Sequence, residues 1–158
     1  VPVELKGLWI VRPPRQAPGP FPQDPSLLPE LQIRITSSEY VWRFRDTPGT
    51  LGGFDGETGE AMIAVEEDDG QKFWEAKPYS IRVNTNTSPW EMDFVITNKS
   101  SEVVHLLAIC EVTGDNLKLS RGRSGQSRPN SFTEPTDGWS YTVQEATRDR
   151  GERESSNH

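Results

Sequence analysis

Val103-Val104-His105-Leu106-Leu107-Ala108-Ile109-Cys110-Glu111-Val112-Thr113-Gly114-Asp115-Asn116-Leu117-Lys118-Leu119 decides the fold. Its first ten residues are mostly apolar or β-branched and predict a strand. Thr113-Gly114-Asp115-Asn116 supplies turn chemistry, and Leu117-Lys118-Leu119 resumes the alternation on the way back. Outward from this hairpin the same period recurs. Trp90, Met92, Phe94 and Ile96 share one face of the strand before it, with Glu91 and Asp93 opposite. Tyr79, Ile81 and Val83 alternate after Pro78. Leu31, Ile33 and Ile35 alternate, Ser37-Ser38 turns, and Tyr40, Trp42 and Phe44 line a face with Val41, Arg43 and Arg45 on the other. Leu5 to Val11 opens the series, Ala61 to Val65 lies between, and Trp139 to Val143 ends it.

Eight or nine short strands, no sustained helical period and 13 prolines predict an all-β domain: an antiparallel up-and-down β-barrel of about eight strands. Closure leaves no sheet edge to protect. The 158 residues fit one domain that buries roughly 70% of its unfolded surface. We place the barrel over residues 1–144, with a charged, disordered tail over 145–158. Seven prolines between Arg12 and Glu30 cannot join a ladder. They make 12–30 an extended surface loop, either a rigid spacer or a lid. Asp46 to Glu60 is a glycine-rich hairpin connection.

Composition narrows the function. Seventeen basic against 24 acidic residues give a net charge of −7, which repels a phosphate backbone and argues against nucleic acid. One cysteine and two histidines leave too few soft ligands for a zinc site, so no metal and no cofactor are indicated. No run approaches the ~18 apolar residues of a membrane helix.

Nor does a catalytic set emerge. His105 and Cys110 lie an odd number of residues apart on one strand, so they face opposite ways and cannot form a nucleophile–base pair. Glu91 and Asp93 stand about 7 Å apart on one face, a spacing known in glycosidases, yet with the aromatics opposite they point to solvent. Gly52-Gly53-Phe54-Asp55-Gly56 lacks the Gly-Lys-Ser/Thr ending of a phosphate cradle. The acidic turn Glu66 to Asp69 misses the ligand spacing of a calcium loop. Lys118, Arg121, Arg123 and Arg128 form a basic stretch that either binds an anionic group or partner or, as the preferred reading, is a solvated loop.

The chain is therefore expected to be no enzyme. Tyr40, Trp42, Phe44, Tyr79, Ile81, Met92 and Phe94 are the candidate interior, with Arg43, Arg82 or a tyrosine hydroxyl to orient a polar group. A barrel of about eight strands is either filled by side chains or holds one small ligand. The leading expectation is a small apolar or amphipathic ligand in the interior. The alternative is a filled barrel that meets protein partners through its loops.

Leu5-Lys6-Gly7-Leu8-Trp9-Ile10-Val11 resembles the opening strand of lipocalin-like domains. The stretch Ile109 to Leu119, followed by Arg128-Pro129-Asn130-Ser131-Phe132, and Met92-Asp93-Phe94 resemble a narrower lipocalin-like domain family abundant in planctomycete bacteria. That resemblance spans Leu5 to Val143 and implies an up-and-down barrel with no established activity and an exported or envelope location. It also implies a closed end built from Gly7, Trp9 and a basic side chain stacked on the tryptophan, with Arg128 the first candidate and Arg148 the second. Cys110, where that family has an aromatic, and the long proline-rich loop depart from the pattern.

Overall fold

The computed structural model describes residues 1–12, 30–46, 53, 55, 58–123, 125–132 and 141–149. A 3-10 turn, Val3–Leu5, precedes ten strands: β1 Gly7–Val11, β2 Leu31–Ile35, β3 Glu39–Arg45, β4 Ile63–Glu66, β5 Lys72–Glu75, β6 Tyr79–Asn84, β7 Trp90–Thr97, β8 Val103–Thr113, β9 Asn116–Gly122 and β10 Tyr141–Arg148. Eight of them close a barrel in the cyclic order β1-β2-β3-β6-β7-β8-β9-β10, every neighbour antiparallel. Chain order is kept around the barrel except for β4–β5, a hairpin that joins at β3.

The β8–β9 hairpin forms as read, with Thr113 opposite Asn116 and Cys110 opposite Leu119. Gly114 has φ +60° at its tip, a backbone setting that glycine adopts without a Cβ penalty. Strand alternation then sorts the side chains. Ile33, Ile35, Tyr40, Tyr79, Ile81, Met92, Phe94, Ile96, Leu106, Ala108, Cys110, Leu117 and Leu119 are buried together in one core with Trp9.

Trp9 closes one end. Its side chain is fully buried, and its indole nitrogen donates to the Leu5 carbonyl at 2.9 Å. The 3-10 turn thus folds beneath the barrel and brings Leu5 into the core. The basic side chain over the tryptophan is Arg148, not Arg128. Its guanidinium carbon lies 4.3 Å from the ring centroid, and it donates to Lys6 O at 2.6 Å and Glu4 O at 2.5 Å. Gly7 lies directly under this arginine: φ is +133°, and a Cβ there would sit 2.9 Å from Arg148 Nη1. Only glycine meets both demands.

The last strand corrects the domain boundary. β10 runs on through Glu145 to Arg148, pairing with β9 and β1, and Asp149 N donates to Leu8 O. Its inward positions carry little apolar signal, with Ala146 in the core opposite Leu117. The backbone ladder, not a hydrophobic stripe, holds it. Residues 150–158 of the expected tail, residues 13–29 of the proline-rich loop, and Trp139 and Ser140 lie outside the described residues.

Arg128 instead lies on β7–β8. It donates to Ala108 O at 2.8 Å and pairs with Asp93 at 2.6 Å and Glu91 at 3.5 Å. The two outward acids are thus half-buried partners of one arginine. At the closed end, Trp9→Ala is expected to cost about 3–5 kcal/mol by cavity formation. Arg148→Ala, which leaves two backbone carbonyls without their donors, should cost about 2–3 kcal/mol. Urea unfolding followed by circular dichroism measures both; an unchanged midpoint for either would refute its closing role.

Candidate functional site

The candidate interior residues of β3, β6 and β7 lie in the same core as Trp9. Tyr40 and Tyr79 are cross-strand partners, their rings stacked with centroids 5.7 Å apart. Phe94 meets both edge-on, at 4.8 and 6.0 Å. Met92 and Ile81 complete this layer. Trp42 and Phe44 follow Tyr40 at the same register and are half-buried, so they mark the mouth.

Two named residues are not there. Arg82 alternates with Tyr79 and Ile81 on β6, so it faces outward and is exposed. Arg43 is buried, but on the outer face of the barrel. Its guanidinium lies 3.9 Å from the Phe73 centroid. Nε donates to Gln32 at 3.0 Å, and Nη1 pairs with Glu67, which Arg34 also reaches at 3.4 Å. The β4–β5 hairpin curls over this face, so the acidic turn serves partly to neutralise Arg43. Its hydrogen bond holds the Glu67 carboxyl below the usual range.

The mouth gains two residues that alternation of apolar side chains did not single out. Asp55, from the glycine-rich connection, is buried. Its Oδ2 accepts from the Tyr79 hydroxyl at 2.5 Å and from the Trp42 indole at 3.2 Å. The connection is tied in place by Asp55 N to Glu60 O, Met62 N to Gly53 O and Lys99 N to Thr58 O. Arg121 follows Leu117 and Leu119 at the inward register of β9, with its guanidinium 5.7 Å from the Phe94 centroid. As sequence it belongs to the basic stretch Lys118 to Arg128, which hides its inward place. Its parity with two core leucines was the available signal.

These groups act on one another electrically. Burial pushes the Tyr40 and Tyr79 phenols up, and the Asp55 hydrogen bond raises Tyr79 further, while the charge of Arg121 opposes both shifts. Burial also pushes the Cys110 thiol up to about 12, as expected for a small core side chain without a cation beside it. His105 is exposed on the opposite face of β8, so the two do not meet.

Burial decides whether a cavity lies beneath the mouth. Tyr40, Tyr79, Met92 and Phe94 expose 2%, 1%, 1% and 0% of their surface. Surfaces that a water-sized sphere cannot reach border no water-sized void. Two open clefts lined by described residues lie elsewhere. One of about 500 Å³ runs past Ala61, Ile63, Ala76, Pro78 and Lys99. The other, of about 360 Å³, lies beside Arg12, Glu111, Lys118 and Glu145.

No family model, curated protein or solved structure matches the chain.

Tyr79→Phe leaves the buried Asp55 oxygen with one donor fewer and should lower stability by about 1–3 kcal/mol. Chemical unfolding tests this, and a neutral result would show that the contact does not organise the mouth. For Cys110, the unfolded thiol ionises near the ordinary ~8.5 while the folded one holds its proton to about 12. Above the lower value the unfolded chain binds fewer protons, so stability falls as pH rises across that window. Cys110→Ala should lessen this alkaline loss, and a disulfide reagent at pH 8 should modify Cys110 only on unfolding. Rapid labelling of the native protein would contradict both.

Proposed function

We propose that the chain is a non-enzymatic, lipocalin-like barrel whose interior is structural and whose work is done at its rim and outer surface, as an interaction domain. The carrying observation is the near-zero exposure of Tyr40, Tyr79, Met92 and Phe94. A carrier of an enclosed ligand needs apolar walls that face a void. Here those walls face each other, as in a barrel filled by side chains.

The closed end supports the lipocalin-like part of the reading, with Gly7, Trp9 and Arg148 brought together under the 3-10 turn. The non-enzymatic part is supported by the groups with reactive potential. Cys110 is buried with a raised thiol, His105 stands on the other face, and Glu91 and Asp93 are held by Arg128. The open cleft past Ile63, which is 61% exposed, gives the outer surface a concave apolar feature.

A second reading, one small amphipathic ligand in the barrel, keeps a single observation in its favour: Trp42 and Phe44 are half-buried at the mouth. Native mass spectrometry of freshly purified protein separates the two. The filled barrel should give the mass of the polypeptide alone. A stoichiometric small-molecule adduct that survives desalting would overturn it.

A further inference from the structure

Asp55 is met by Tyr79 and Trp42. Across the barrel from β9, Trp74 stands at the register of Phe44, and its indole N–H is buried without an acceptor. Arg121 is half-buried and inward-facing, and it makes no ion pair among the described residues. Its guanidinium lies 5.7 Å from the Phe94 ring centroid, and its charge also reaches the Tyr40 and Tyr79 phenols.

Five other buried or half-buried arginines among the described residues show what this chain does with a guanidinium: Arg34 pairs with Glu67 and Arg45 with Glu30. Arg43 has Glu67 and Gln32, Arg128 has Asp93 and Ala108 O, and Arg148 has Lys6 O, Glu4 O and Asp115. Each of the five meets at least one oxygen. Arg121 departs from that pattern. A guanidinium taken partly out of water without an oxygen partner is costly. A leucine, as at 117 and 119, would fill a purely structural position without that cost.

We propose that Arg121 is a binding residue at the barrel mouth and takes a carboxylate from a ligand or partner. This deepens the reading of a filled barrel that works at its rim, and rests on it. A planar guanidinium matches a carboxylate in charge and in paired N–H geometry. One cation within a domain of net charge −7 favours a monoanion over phosphate, since long-range repulsion grows with the charge of the ligand. Trp42 and Phe44 at the rim offer apolar surface to whatever carries the group.

The test titrates the intact protein with acetate, decanoate, decanol and inorganic phosphate at low ionic strength, following tryptophan fluorescence and amide shifts. The variants are Arg121→Gln and Arg121→Lys, each first shown to keep the native circular dichroism spectrum and melting point. Saturable binding of both carboxylates, weakened about tenfold in Arg121→Gln and partly kept in Arg121→Lys, supports the site. Decanoate bound more tightly than acetate supports an amphipathic source, and equal affinity supports a carboxylate presented alone. No carboxylate binding up to about 10 mM, or phosphate bound more tightly than acetate, overturns the site and leaves the filled barrel standing. Decanoate and decanol bound alike, and equally by wild type and Arg121→Gln, overturns both, because an apolar cavity would then be doing the binding.

Discussion

Closure of the sheet between its first and last strands is the constraint on which the other features depend. β1 is short, and it pairs on one side with β2 and on the other with β10. With either pairing lost, eight strands become an open sheet with two bare edges. The seam is closed by backbone hydrogen bonds along β10, extended by Arg12 N to Glu145 O and Asp149 N to Leu8 O. It is then locked by one side chain. Arg148 leaves the end of β10, crosses Trp9, and bonds to two carbonyls of the segment that precedes β1. A single residue thereby ties both termini of the barrel to its buried tryptophan.

That lock explains why the interior can be dense. With the base closed by Trp9 and Leu5, each strand delivers every second residue into a space of fixed width. Large aromatics on β3, β6 and β7 meet smaller residues on β8, where Ala108 and Cys110 oppose Met92 and Trp90. The small thiol at 110 therefore balances bulk across the strand pair. Alternating large and small side chains is how a narrow barrel reaches interior packing density. The same balance leaves no void among the described core residues that would hold a ligand.

Much of this was legible in the sequence because it rests on period-two alternation. The turn at Thr113 to Asn116 and the inward faces of β2, β3, β6 and β7 follow from side-chain pattern, whereas the closing place of Trp9 was implied by the resemblance of Leu5 to Val11 to an opening strand. What was not legible rests on the backbone or on distance. β10 holds its place by ladder bonds while presenting Gln144, Ala146 and Arg148 inward, a face that reads as polar tail. Arg43 sits at an outward position, and its burial comes from a hairpin that folds over it from residues 63–75. Arg128 and Arg148 are alike as sequence, and only their positions in the closed barrel assign one to the acids of β7 and the other to the tryptophan. Asp55 was hidden in a glycine-rich stretch whose composition speaks of turns.

Placement of the arginines carries the remaining step. A guanidinium keeps its charge at all physiological pH values, so the fold cannot lower the cost of burying one by neutralising it. It must supply oxygen or leave the group partly wet. For Arg43, Arg128 and Arg148 the oxygen comes from strands or turns that the barrel already brings close. At the mouth near Arg121, the described acid Asp55 bonds to Tyr79 and Trp42. Rotating the Tyr79 hydroxyl away would strand a buried donor to satisfy a half-buried one, which is a net loss. Among the described residues Arg121 is therefore left without an ion-pair partner, and the proposed carboxylate would supply the oxygen that the other arginines draw from the fold.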